Sequence, residues 1–276
     1  MRYVIDHDFH IHSNVSISAN HPEQNKENIL KYAEENGLRK IVITDHFWDS
    51  EIPMNIPPLK DGSTSITIPY YEKQDYNHIK KILPLPQGKN AEFLFGAEAE
   101  MSYDYTIGLG AKVMSELDFI VIPTTHFHMK GFAISEEDSE SPEKKAKVWV
   151  NKFKALLSAK LPFKKVGLAH LACYLMAPTR EEHLEILRLL PEDEMRRLFR
   201  RASELGFGIE INQCDFKYTD SEAEIILRPF LIAKSEGCKF YLGSDSHSPE
   251  NFKKGIIRFN TAIDDLELKE SDKFIL

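Results

Sequence analysis

Residues 207–247, FGIEINQCDFKYTDSEAEIILRPFLIAKSEGCKFYLGSDSH, hold two short β-rich runs, 207–212 and 239–245, around a helical pattern at 221–236 that Gly237 stops. Two strands joined through a helix are parallel, because only a crossover of a dozen or more residues returns the chain in the same direction. The same alternation extends outward in both directions. Further β-rich runs fall near 3–10, 39–44, 92–98, 118–126 and 164–170, which makes seven. Helical patterns fall near 24–36, 71–83, 142–159, 180–205 and 249–264. Pro191 splits 180–205 into two helices, and Pro142 and Pro249 sit at first turns. The class is therefore α/β, a closed barrel or one open sheet with helices over its faces. Residues 47–70 and 129–141 are long irregular stretches of the kind that shape binding sites.

The 276 residues carry a formal net charge of −8, and 42% are hydrophobic. That composition is too apolar for a disordered chain, and no shift in it marks a boundary, so one domain spanning 1–276 is expected. The acidic balance, with no Lys/Arg stripe, makes a duplex nucleic-acid partner an unfavourable reading. No apolar stretch is long enough for a membrane span and the first residues lack a secretory pattern, so no membrane partner and a cytoplasmic location are expected. Cys173, Cys214 and Cys238 are odd in number and lack metal-ligand spacing, which points to buried thiols.

The eleven histidines are the unusual feature. His10 and His12 lie two apart at the end of the first strand, so strand periodicity points both imidazoles to one side. Asp8 shares their parity, and Phe9 and Ile11 have the other. Asp45 and His46 end the second strand, Glu98 and Glu100 the third, His126 and His128 the fourth, His170 the fifth and Asp245 and His247 the seventh; Glu210 and Asn212 end the sixth. A single buried histidine is more often a hydrogen-bonded core residue than a ligand. The carboxyl ends of parallel strands meet at one rim, however, and coincidence at six of seven ends is a poor explanation. Imidazole and carboxylate without thiolate suit Zn, Mn, Fe or Ni, and roughly nine such groups exceed what one ion takes. His7, His78 and His183 fall at the wrong parity or on helical surface and are expected in solvent.

DFHIH at 8–12, ITDH at 43–46, GAE at 96–98, TTH at 124–126, AH at 169–170 and GSDSH at 243–247 occur in that order over nearly the whole chain. In this the sequence resembles the polymerase-and-histidinol-phosphatase (PHP) family of metal-dependent phosphoesterases. The resemblance implies a distorted (β/α)7 barrel with two to three divalent ions, Zn, Mn or Fe, at its carboxyl rim. Its implied ligands are His10, His12, His46, Glu98, His126, His170, Asp245 and His247, with His21 standing later than the family's next histidine. Glu100 would support the ligands from behind.

Such ions lower the pKa of bound water from about 15.7 toward 7, so the expected nucleophile at a phosphate ester is metal-bound hydroxide. Asp45 and Asn212 would orient ligands, and His247 or His126 would protonate the leaving alkoxide. Arg180, after the fifth strand, would grip phosphate, although an arginine at a helix start is as readily a solvated one. The Gly residues of TIGLGAK at 106–112 complete no phosphate-loop fingerprint. A small phosphorylated substrate follows from the resemblance, with histidinol phosphate the first to test. Nucleotide, oligonucleotide or phosphotyrosine hydrolysis and a non-catalytic metal-binding scaffold are the alternatives. Amide or lactone hydrolysis in the manner of amidohydrolases is less suited, since no strand-end lysine is present to bridge metals. The sequence carries no signal for oligomeric state.

Overall fold

A computed structural model describes residues 1–19 and 21–276. In chain order the strands are β1 (His7–Ile11), β2 (Lys40–Ile43), β3 (His46–Phe47), β4 (Glu92–Ala99), β5 (Phe119–Pro123), β6 (Val166–Ala169), β7 (Gly208–Asn212) and β8 (Lys239–Gly243). The helices are α1 (Lys26–Glu35), α2 (Thr67–Tyr71), α3 (Tyr76–Ile79), α4 (Ala111–Glu116), α5 (Pro142–Ser158), α6 (Arg180–Leu189), α7 (Glu192–Leu205), α8 (Ala223–Ser235) and α9 (Glu250–Asp265). Every strand pair is parallel, in the order β1-β2-β4-β5-β6-β7-β8, and the two-residue β3 continues the β2 edge along β4. Beyond β8, Asp245 donates its N–H to the His10 carbonyl at 2.7 Å and Ser246 bridges Ile11, so the sheet nearly closes on itself. The fold is an α/β barrel. Among the described residues no helix is long and apolar enough to cross a membrane.

Helix boundaries follow local chemistry. Asn25, Ser141 and Thr179 accept N–H groups in the first turns of α1, α5 and α6, and Pro191 separates α6 from α7 as its missing donor requires. The 71–83 pattern is instead two short pieces: α2 ends at Tyr71, and α3 restarts behind the Asp75 cap. The glycine-bearing 106–112 segment leads into α4, which the sequence reading left out.

Period-two alternation separates two apolar layers. Ile41 and Ile43, Ile120 and Ile122, Val166 and Leu168, Ile209 and Ile211, and Phe240 and Leu242 pack outward in the cluster shared with the helices. Phe9, Val42, Phe119, Val121, Ala169 and Tyr241 fill the interior, with Phe274 of the C-terminal tail at the amino end. Above that floor the inward positions become His and acid. The strand parity read for β1 needs correction. A register shift between Asp8 and Ile11 puts Phe9 in the interior, while Asp8 accepts a hydrogen bond from Tyr32 of α1 and does not join His10 and His12.

Candidate metal centre

Glu98 lies at the centre of the rim. One of its carboxylate oxygens stands 2.7 Å from His46 Nδ1, 3.4 Å from His12 Nε2 and 3.5 Å from His10 Nε2. The other stands 3.2 Å from His170 Nε2 and 3.8 Å from His126 Nε2. Asp245 faces it, with Oδ1 at 3.0 Å from His12 Nε2 and 3.5 Å from both His10 Nε2 and His247 Nδ1. The sequence-predicted His10, His12, His46, Glu98, His126, His170, Asp245 and His247 thus meet at one place.

The backs of these imidazoles are held from outside the cluster. His10 Nδ1 donates to Glu210 at 2.6 Å and His126 Nδ1 donates to Glu100 at 2.8 Å, and Tyr71 donates its hydroxyl to the same Glu100 oxygen at 2.7 Å. His170 Nδ1 lies 3.4 Å from the Asn212 amide, and His247 Nδ1 donates to the Asp245 carbonyl at 2.9 Å. Asp45 takes the N–H and hydroxyl of Ser13 and stands 4.0 Å from His12 Nδ1. The contacts to His10, His126, His170 and His247 each fix a ring orientation and aim Nε2 inward, whereas Asp45 makes no hydrogen bond to His12. Glu210 also accepts the His170 backbone N–H at 2.9 Å, so one carboxylate holds the His10 ring and the main chain at His170. A side chain at Gly243 would overlap the Glu210 carboxylate and His10, and glycine leaves that space open.

The residues fit metal ions. Glu98 Oε2, His12 Nδ1 and His46 Nδ1 are buried without a hydrogen-bond partner, although acceptors and ring nitrogens crowd around Glu98. His10 Nε2 and His12 Nε2 face each other at 3.2 Å. Lone pairs converging this way are stabilised by protons or by cations, and imidazole with carboxylate is a donor set for divalent transition ions. Among the described residues, five groups of three such residues have ligand atoms within 4.8 Å of one another, and Glu98 belongs to three of them.

The electrostatics agree. Burial disfavours charge on every group here, yet the clustered imidazoles hold Glu98 and Asp245 well below the usual carboxylate range. Burial likewise opposes the imidazolium forms of His10 and His12, but the surrounding carboxylates outweigh it and raise both, His12 to about 9. The site therefore concentrates negative charge that demands positive charge in return. His10 and Glu98 are fully buried, whereas the His46, Asp245 and His247 side chains are 12, 12 and 30% exposed. The cluster is closed below and open on one side. His170 and Asp245 take positive φ, +56° and +49°, a strained geometry for non-glycine residues that is characteristic of working sites.

Expectations for five residues need correction. His21 Nδ1 accepts the Glu23 N–H at 3.3 Å and joins none of the candidate metal groups. Arg180 is turned away from the rim: its guanidinium forms two hydrogen bonds with Glu222, at 2.8 and 3.0 Å, and a third to the Lys217 carbonyl. His7 and His183 are buried, not solvated; His7 lies 2.9 Å from Asp6, and His183 donates to the Ala172 carbonyl at 2.9 Å. His78 is half-buried and donates to the Val15 carbonyl at 2.7 Å. The sequence reading also left Glu210 without a role. Its strand-end position and its parity with Asn212 were the available signal.

A cavity of about 680 Å³ opens over the exposed side. Its far walls come from residues 59–71 and 128–130, so both irregular stretches noted in the sequence contribute.

No family model and no curated protein matches the chain. Among solved structures, it is similar to histidinol phosphate phosphatase from Lactococcus lactis subsp. lactis Il1403, complexed with zinc, L-histidinol and phosphate. The identity is 17%, 99% of each chain is covered and the TM-score is 0.56. A protein described as a probable 2-pyrone-4,6-dicarboxylic acid hydrolase from Acinetobacter baumannii matches over 97% of each chain at 12% identity, with a TM-score of only 0.39. The first likeness establishes the shared barrel.

Proposed function

We propose that this chain is a metal-dependent hydrolase of the PHP type that acts on small phosphate monoesters. The observation that carries the reading is Glu98, whose two oxygens face different sets of imidazoles, as a carboxylate shared between metal ions would. His10, His12, His46, Glu98, His126, His170, Asp245 and His247 would hold two to three ions, Zn, Mn or Fe. Such ions supply charge for the phosphoryl oxygens and a water activated at neutral pH. The protein supplies the rest. Glu210, Glu100 and Asn212 fix the rings, Asp45 lends its charge beside His12 from 4.0 Å, the buried side of the cluster excludes bulk water, and His247 or His126, both lining the open cavity, would return a proton to the leaving oxygen.

Histidinol phosphate is the reference substrate, since the fold is shared with a histidinol phosphate phosphatase complexed with L-histidinol and phosphate. Purified protein is expected to hold two to three equivalents of transition metal and to release phosphate from p-nitrophenyl phosphate, and His170→Ala to lose both. Metal at full stoichiometry with no turnover of any ester would favour a non-catalytic scaffold instead.

A further inference from the structure

The cavity over the cluster has a wall that the metal-centre reading does not use. Leu59, Ile66, Met129 and Leu175 present alkyl groups, and Tyr70 and Tyr71 present rings, with Phe132 stacked on Tyr71 at 5.2 Å. The remaining wall positions are the hydroxyls of Ser18, Ser63, Thr64, Ser65 and Thr67, the His128 imidazole and Lys130. Asp245 is the one carboxylate among the lining residues, and the imidazoles already surround it.

This composition selects against a cationic alcohol. An ammonium group taken from water into a concave wall needs an anionic partner, because a charge buried unpaired is strongly disfavoured. Here the wall offers alkyl carbon, neutral hydroxyls, the His128 imidazole that burial keeps uncharged, and Lys130, whose ammonium lies 3.8 Å from Glu136. An alkyl or aryl group of the same size gains by covering the same surface.

On the phosphoesterase reading, we infer that the preferred substrate is the phosphate ester of an uncharged, apolar or ring-bearing alcohol, and that amino alcohols such as histidinol are disfavoured. Chemical reactivity would confuse a comparison of turnover alone, since aryl oxygens leave more readily than alkyl ones. The test is therefore binding to the Mn-loaded protein by isothermal titration calorimetry at pH 7.5. Propylphosphonate and 2-aminoethylphosphonate differ by a methyl against an ammonium at nearly constant shape, and phenylphosphonate adds a ring. Propyl and phenyl phosphonates are expected to bind at least tenfold tighter than the amine. Ile66→Glu adds a carboxylate at the mouth of the wall, at a position 90% exposed where folding tolerates it, and should narrow that ratio about two- to fivefold, as expected for a solvent-screened charge pair. Equal or tighter binding of 2-aminoethylphosphonate by the unaltered protein, or a ratio unmoved by Ile66→Glu, overturns the inference. The hydrolytic reading fails separately: no phosphate release from any ester while the phosphonate preference holds would remove the enzyme and leave the wall's selectivity standing. Binding of none of the three would remove both.

Discussion

Glu210→Gln isolates the role of the carboxylate behind the cluster. One carboxylate oxygen accepts from His10 Nδ1 at 2.6 Å and the other accepts the His170 backbone N–H at 2.9 Å; the substitution keeps the shape and one acceptor oxygen for His10, but it removes the charge and turns an NH2 group toward the His170 N–H. Hydrogen bonds with a charged partner contribute about 1.5–3 kcal/mol and neutral ones about 0.5–1.5, so the His10 ring loses about 1–2 kcal/mol of orientation and basicity. At RT of about 0.59 kcal/mol that is a five- to thirtyfold loss of metal affinity, within the roughly 10–100-fold range for residues that support ligands. Competition against a chelator of known affinity measures it directly, with a thermal melt of the metal-free protein as control for folding. Affinity within threefold of the parent, at an unchanged melting temperature, would refute the claim that Glu210 acts on the metal through His10.

Gly243→Ala should push the Glu210 carboxylate and His10 apart and lower metal content, with a larger effect than Glu210→Gln because His10 Cβ, 2.8 Å from the added methyl, can move only with the β1 backbone. Arg180→Ala should leave metal stoichiometry and KM for a small phosphate ester within twofold, since Glu222 already holds the guanidinium; a tenfold rise in KM would restore Arg180 as a phosphate grip. Lys152 of α5 is buried, donates to the Met101 carbonyl at 2.7 Å, and has its amine pushed down to about 7 by burial. Unfolded, that amine keeps its proton up to about pH 10.4, so between pH 7 and 10 the unfolded chain binds more protons and stability rises with pH. Lys152→Met should abolish that rise, on the order of 3 kcal/mol across the window, in denaturant titrations at several pH values; parallel curves for both proteins would contradict it.

Alternation of β-rich and helical runs, with Pro191 and the capping residues in place, made the parallel α/β architecture legible from the chain, because periodicity and local capping are properties of neighbouring residues. The rim residues were legible for a related reason. Parallel strands must end together, so a histidine or acid at each strand end implies one site before any distance is known. Outcomes decided by contacts between distant segments were not legible. The register shift in β1 moved Asp8 out of the rim, and Glu222 captured Arg180. Glu210 acquired its place only because Gly243, 33 residues later, leaves room beside His10. The wall over the cluster belongs to that second class too, since residues 59–71 and 128–130 share no local pattern and meet only when the barrel brings their strands to one mouth. Side-chain chemistry is written in the sequence, but its partners are chosen by packing, which depends on the whole chain.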